Sequence, residues 1–140
     1  LYNNKYKIKK KGCNVMNNLR DEKDITPVLE YVTWEDVETF IKFVADNTHN
    51  FKDFNGVYGP ARGGLVYAVI ISNRYNIPFL GAPQKGCIIV DDVCDTGDTA
   101  RSWLNKGYYI ATHYYKEACP IMPNLHYKVK TDKWLKFPWE

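Results

Sequence analysis

Residues 87–100 read Cys-Ile-Ile-Val-Asp-Asp-Val-Cys-Asp-Thr-Gly-Asp-Thr-Ala, and they are the most informative segment of the sequence. Four apolar residues open it, which is typical of a central strand of a parallel sheet, buried on both faces. Two adjacent carboxylates follow, and we expect residues 91–98 to form a loop. A short helix is predicted from Thr99 to Lys106, ended by Gly107. The order strand, loop, helix predicts a ligand site at the carboxyl end of the strand.

The predicted loop combines groups that suit a phosphate with groups that suit a sugar. Backbone N–H groups and hydroxyls around Gly97, together with a helix N-terminus, favour a phosphate. The carboxylates of Asp91 and Asp92 suit sugar hydroxyls, or a magnesium ion that bridges a polyphosphate. We interpret the stretch as a sugar-phosphate site; the alternative is an acidic loop that only caps a helix.

A second glycine-rich segment, Tyr-Gly-Pro-Ala-Arg-Gly-Gly-Leu at 58–65, lies between a predicted strand and a predicted helix. Such a turn can bind an anion, and Arg62 adds a cation to it. Glycine-rich turns between a strand and a helix are also common without any ligand. The segment supports a phosphate site because it occurs together with the 87–100 stretch.

The rest of the chain predicts an α/β fold with a parallel sheet covered by helices on both faces. Strands are expected at 29–32, 56–58, 77–80 and 108–115, and helices at 33–47 and 65–73. Thr33 and Asp36 resemble a capping box at the start of the first helix. We expect residues 1–24 to form a flexible basic extension, and residues 25–140 to form one domain.

Composition excludes several classes of protein. The 140 residues are 45% hydrophobic and 25% charged, as in ordinary globular domains. The longest apolar run has seven residues, so we expect no membrane span and a cytoplasmic protein. The net charge of +3 comes from five lysines within residues 1–18, which leaves the remainder at −2. A basic tail on an acidic domain does not indicate a nucleic-acid partner.

The 87–100 stretch closely resembles the phosphoribosyl-pyrophosphate motif of the type I phosphoribosyltransferases, whose fold is Rossmann-like. The Arg62-Gly63-Gly64 run resembles the pyrophosphate loop of the same family. Tyr31-Val32-Thr33-Trp34 and the closing segment 133–140 are similar to the xanthine-guanine and hypoxanthine enzymes. There the closing segment belongs to a small C-terminal hood over the base, here about residues 117–140. Trp134 and Trp139 in this segment could also be ordinary core residues.

The resemblance implies a role for each matching residue. The catalytic residues would be Asp91, Asp92 and Asp95, with Mg²⁺ on Asp91 and Asp92. The base would lie against Asp95, Lys116, Trp134 and Leu135, unless Lys116 is only an exposed lysine. Phosphoribosyl pyrophosphate would bind Ala61, Arg62, Gly63, Asp91, Asp92, Asp95, Thr96, Gly97, Asp98 and Thr99. The implied reaction transfers phosphoribose to N9 of a 6-oxopurine (hypoxanthine, guanine or xanthine) in purine salvage, in a homodimer or homotetramer.

One departure from the family concerns the long mobile loop that precedes the acid-bearing strand and closes over the reacting centre. Only residues 81–86 separate Leu80 from Cys87 here, and six residues make a turn but no lid. A lid excludes water from the reaction, so its absence leaves a second interpretation open. In that interpretation the chain is a non-catalytic nucleotide or phosphoribosyl-pyrophosphate sensor.

Overall fold

The structure is a computed structural model of the chain and describes residues 26–140. The predicted extension at 1–24 lies outside the described residues, so the domain boundary stays a prediction. The elements follow the order β1 (Leu29–Tyr31), α1 (Trp34–Asn47), β2 (Val57–Tyr58), α2 (Gly63–Tyr75), β3 (Ile88–Cys94), α3 (Asp98–Leu104), β4 (Tyr109–Tyr115), β5 (Leu125–Val129) and β6 (Trp134–Lys136). None of these helices is long and apolar enough to cross a membrane.

The main sheet of the described residues has the order β2-β3-β4-β5, with all neighbours parallel. Alternate residues of β3 point to opposite faces, as the two-residue period of a strand requires. Ile88 and Val90 join the cluster that includes buried residues of α1 and α2, whereas Ile89 joins the cluster that includes Ala100 of α3. The predicted α/β fold with a covered parallel sheet is therefore confirmed.

The predicted capping box at the start of α1 is present. The Thr33 N–H donates to Asp36 Oδ2 at 2.9 Å, and the Asp36 N–H donates to Thr33 Oγ1 at 3.1 Å. Lys128 Nζ of β5 donates to Asp36 Oδ1 at 2.8 Å, so the cap also joins α1 to the edge of the sheet. The Lys128 and Thr33 hydrogen bonds lower the pKa of Asp36 to about 2.

The strand predicted at 77–80 is wrong, because this segment pairs with β2 at a single bridge, Val57 with Phe79. The Val57 N–H donates to the Pro78 carbonyl and the Leu80 N–H donates to the Val57 carbonyl, each at 2.9 Å. β2 ends after two residues, at the Gly59-Pro60 turn, so the neighbouring segment has nothing further to pair with.

The loop predicted at 91–98 is also wrong in its extent, because β3 continues through Cys94. The neighbouring strand β4 keeps it extended: Asp91 pairs with Thr112, and Cys94 pairs with Tyr115. The following helix spans Asp98–Leu104, in place of the predicted 99–106. The two carboxylates therefore stand on a strand, which holds them more rigidly than a loop would.

The last forty residues contribute to both sheets. β5, which the sequence analysis did not predict, adds a parallel strand beside β4. β6 pairs in parallel with β1 as a separate two-stranded sheet, with Leu29 opposite Trp134. Trp139 packs between rings, 4.9 Å from Phe137 and 5.3 Å from Tyr67 between centroids, and so belongs to the aromatic packing of the domain.

Candidate active site

Gly63 and Gly64 allow the 59–64 turn to pack against Asp91 and Asp92, which we call the acid pair. A Cβ atom at Gly63 would lie 1.9 Å from Asp92 Oδ2, and one at Gly64 would lie 2.6 Å from the Val90 carbonyl and 3.1 Å from Asp91 Oδ1. These contacts are possible only without a side chain at 63 and 64. The structure therefore brings together the glycine-rich turn and the acid-bearing stretch 87–100, which are about 30 residues apart in the chain.

The turn itself presents Ala61 and Arg62 beside this contact. The peptide bond between them is cis, and Arg62 is exposed at the N-cap position of α2. Of the predicted pyrophosphate-loop residues, Gly63 thus touches the acid pair directly. Arg62 leaves its guanidinium accessible to an anion that would lie over the turn.

The acid pair lies in the middle of β3 and is partly buried. The Asp92 N–H donates to Asp91 Oδ1 at 2.9 Å, and the Val93 N–H donates to Asp92 Oδ1 at 2.7 Å. Burial raises the pKa of Asp91, and the neighbouring charge of Asp92 raises it further. A cationic or hydroxyl-rich ligand would relieve this repulsion, because it would compensate two carboxylates held side by side.

The donor set of this pair fits Mg²⁺. Magnesium prefers carboxylate oxygens and commonly binds through one or two carboxylates together with substrate phosphates. Asp91 and Asp92 offer two adjacent carboxylates in which a positive ion would offset the burial and the mutual repulsion. Asp91 and Asp92 are therefore the residues that would hold the ion, and this assignment stays a prediction.

A pocket of about 160 Å³ lies between β3, β4 and the segment that leads into α3. The segment turns at Gly97, where φ is 82°, and a Cβ there would lie 2.9 Å from Cys119 Sγ. Both the dihedral angle and the close contact require glycine. The pocket is lined by Asp91, Val93, Cys94, Asp95, Thr96, Gly97, Thr99, Ala100, Trp103, Ile110 and Thr112.

Thr96 and Asp98, both predicted site residues, hydrogen-bond to each other within this segment. Thr96 Oγ1 donates to Asp98 Oδ2 at 3.2 Å, and the Asp98 N–H lies 3.4 Å from Thr96 Oγ1. Asp98 starts α3 and is exposed, and it does not line the pocket. The side chains that face the pocket in this segment are those of Asp95, Thr96 and Thr99.

Asp95 and Lys116 lie next to each other at the same edge of the sheet. Lys116 Nζ is 3.7 Å from Asp95 Oδ1, and both side chains are about half exposed. The backbone explains the placement, because the Lys116 N–H donates to the Cys94 carbonyl at 2.9 Å and so continues the β3–β4 ladder. An acceptor and a donor therefore stand together beside the pocket.

Two residues of the predicted hood, Trp134 and Leu135, were predicted to bind the base, and both lie in β6. Trp134 is half exposed, while the side chain of Leu135 is buried in the hydrophobic core. Neither residue lines the pocket, and the buried side chain of Leu135 leaves only its backbone for a base to contact. The assignment of both residues to base binding stays a prediction.

Six residues that line the pocket were not among the predicted site residues: Val93, Cys94, Ala100, Trp103, Ile110 and Thr112. The last two lie on β4 two residues apart, and this period places them on one face of the strand. The period could have been found in the sequence, but which face meets the pocket depends on how β4 pairs with β3.

No family model matches the chain, but curated relatives do. The xanthine-guanine phosphoribosyltransferase of Chromohalobacter salexigens is 25% identical over 134 residues, covering 78% of this chain and 82% of the relative. That of Nitratidesulfovibrio vulgaris is 28% identical over 136 residues, covering 78% and 83%.

Solved structures point to the same group. A purine phosphoribosyltransferase from Pyrococcus horikoshii matches with a TM-score of 0.66 and 28% identity, covering 80% of this chain and 93% of that one. A xanthine-guanine-hypoxanthine phosphoribosyltransferase from Helicobacter pylori has a TM-score of 0.65 over the same shares at 16% identity, which supports the fold alone. The resemblance found in the sequence is thus confirmed: the chain has the type I phosphoribosyltransferase fold and is similar to the purine phosphoribosyltransferases, which are enzymes.

Proposed function

We propose that this chain transfers the 5-phosphoribosyl group of magnesium-bound phosphoribosyl pyrophosphate to N9 of a 6-oxopurine. The observation that carries the proposal is the contact of Gly63 with Asp92, because it brings the glycine-rich turn at 58–65 against the acid-bearing stretch 87–100. The pairing of Asp95 with Lys116 at the same edge adds a candidate base site. Hypoxanthine, guanine and xanthine are the candidate bases, in a purine-salvage role.

In this proposal the sugar phosphate binds across the end of the sheet where β3 and β4 finish. Its 5-phosphate would bind the segment Asp95–Thr99, and its ribose hydroxyls would donate to the carboxylates of Asp91 and Asp92. Its pyrophosphate would lie near Arg62. Magnesium on the acid pair would neutralise pyrophosphate charge and so ease its departure.

The transfer breaks the bond between C1 of the ribose and the pyrophosphate oxygen, which leaves with the electron pair. The bond from N9 of the purine to C1 forms on the opposite face. The anomeric carbon gains positive charge between these events, and the carboxylates of Asp91 and Asp92 would stabilise that charge. Asp95 would accept the proton that the purine ring loses.

Lys116 would select the base. Its ammonium is a donor only, so it suits the 6-oxo group of hypoxanthine, guanine or xanthine and opposes the 6-amino group of adenine. The half-exposed ring of Trp134 could stack on the purine. The predicted homodimer or homotetramer and the cytoplasmic location stay predictions.

One observation favours a second candidate function, a sensor that binds the sugar phosphate without turning it over. The connection 81–86 is short, and two hydrogen bonds fix it to Asn55. The Asn55 side chain donates to the Lys85 carbonyl at 2.8 Å, and the Asn55 N–H donates to the Gly86 carbonyl at 3.1 Å. A connection fixed in this way cannot fold over the reacting centre. Both functions share the binding site and differ in catalysis.

The binding site is tested by titration calorimetry with magnesium phosphoribosyl pyrophosphate. We expect Asp91→Asn combined with Asp92→Asn to abolish binding without loss of the fold, because both carboxylates project from β3 beside the Gly63–Gly64 turn, where the ligand would lie. Asp46→Asn combined with Asp53→Asn, at two exposed positions in and after α1, makes the same change in charge and should bind as the unaltered chain does. Equal affinity of the Asp91/Asp92 variant and the unaltered chain would overturn the site.

A further inference from the structure

Thr112 carries a buried hydroxyl that has no partner among the described residues. The residue lies on β4 and is 2% exposed, and its Oγ1 atom makes no hydrogen bond there. A buried hydroxyl without a partner is unfavourable for folding, so native structures keep few of them. Such a group is a candidate for a ligand contact when it faces a cavity.

Thr112 does face one, because it lines the pocket between β3, β4 and the segment before α3. Thr112 is the register partner of Asp91, and register partners on parallel strands point to the same face. Thr96 and Thr99 line the same pocket. The hydroxyl of Thr112 therefore lies on the strand side of the space that the phosphate segment encloses.

The chemistry of the lining indicates what the hydroxyl would bind. Asp91 and Asp95 carry only acceptors when ionised, and Ala100, Trp103 and Ile110 add apolar surface. A phosphate needs donors on every side from which its oxygens are approached, and a neutral hydroxyl can donate without adding charge. On the strand side of the pocket, Thr112 supplies that donor.

We propose that Thr112 is a further substrate-binding residue, whose hydroxyl donates a hydrogen bond to an oxygen of the 5-phosphate. The inference rests on the proposed function, because it takes the phosphate segment as the site of that phosphate. It adds a contact from the sheet itself to those from the loop. The phosphate would then be held between β4 and the Asp95–Thr99 segment.

The test compares Thr112→Val with Thr112→Ser by calorimetry, using ribose 5-phosphate and inorganic phosphate as probes. Valine keeps the shape of threonine and removes the hydroxyl, whereas serine keeps the hydroxyl. A hydrogen bond to a charged group corresponds to roughly a tenfold change in affinity or more. We expect Thr112→Val to bind both probes about tenfold more weakly than the unaltered chain. Thr112→Ser should bind them with an affinity within about threefold of the unaltered chain.

Melting of the ligand-free protein separates a binding role from a structural one. Removing an unpartnered buried hydroxyl should leave the melting temperature unchanged or raise it, while binding weakens. Thr39→Val, at an exposed position on α1, should leave the affinity for both probes unchanged.

Two results would overturn the inference. Unchanged affinity of Thr112→Val, beside clear binding by the unaltered chain, would refute the role of Thr112 and leave the proposed function standing. Failure of the unaltered chain to bind ribose 5-phosphate at all would refute the proposed function and this inference together.

Discussion

Replacing Gly63 by alanine should separate the fold of this protein from its ligand binding. A Cβ at position 63 would lie 1.9 Å from Asp92 Oδ2 and 2.3 Å from its Cγ, whereas ordinary contact starts at 3.4 Å. The carboxylate must therefore move by about 1.5 Å. Because Asp92 is only partly buried, we expect its side chain to turn away while the domain stays folded.

Loss of one contact to a charged group costs about 1.5–3 kcal/mol, which is roughly a 10- to 100-fold loss of affinity, and we expect a loss of that order for magnesium phosphoribosyl pyrophosphate. The matched control is Gly81→Ala, because a Cβ there has no atom within 4 Å. Calorimetry measures the affinity, and circular dichroism with thermal melting checks the fold. The reasoning is refuted if Gly63→Ala binds as tightly as Gly81→Ala.

Three further predictions concern base choice, acid stability and the capping box. Lys116→Met should remove the preference for 6-oxopurines over adenine and leave the affinity for phosphoribosyl pyrophosphate unchanged, as competition binding would show, with Lys106→Met as the exposed control. His113 is fully buried and hydrogen-bonded to the Tyr67 hydroxyl at 2.6 Å, and burial lowers its pKa from 6.5 to about 3. Because the unfolded chain binds the proton first, His113 contributes stability that is lost as the pH falls from 6.5 towards 3, about 2 kcal/mol of it by pH 5. The raised pKa of Asp91 acts in the opposite direction over the same range, so the quantity to compare is the difference in stability between the unaltered chain and His113→Leu combined with Tyr67→Phe. Urea unfolding should show this difference changing by about 2 kcal/mol between pH 7 and pH 5, at the expense of the unaltered chain. Asp36→Asn should reduce the free energy of unfolding by about 1 kcal/mol through the cap and the Lys128 pair, and an equal loss in Glu35→Gln would refute the specific role of the cap.

The sequence predicted the elements whose signals are local. The apolar residues 87–90, the capping box at Thr33 and Asp36 and the glycine-rich turn at 58–65 depend on near neighbours, and the structure contains all three. Chain order also predicted the parallel sheet, because strands alternate with helices along the chain. Here local chemistry and the final fold agree.

The errors in the strands all concern long-range pairing. Residues 77–80 carry a strand-like pattern, but β2 is too short to pair with them fully. Residues 91–94 carry polar groups, yet β4 keeps them in the sheet. β5 was not predicted, because its pairing with β4 decides it. The contact of Gly63 with Asp92 likewise requires the fold, although each motif was visible in the sequence.

The most direct test of the proposed function is release of pyrophosphate from magnesium phosphoribosyl pyrophosphate in the presence of each purine base. The proposal predicts release with hypoxanthine, guanine or xanthine, no release with adenine, and no release with any base for Asp91→Asn combined with Asp92→Asn. Preference for adenine would contradict the role of Lys116. Tight binding of phosphoribosyl pyrophosphate without release with any purine would contradict transferase activity and favour the sensor.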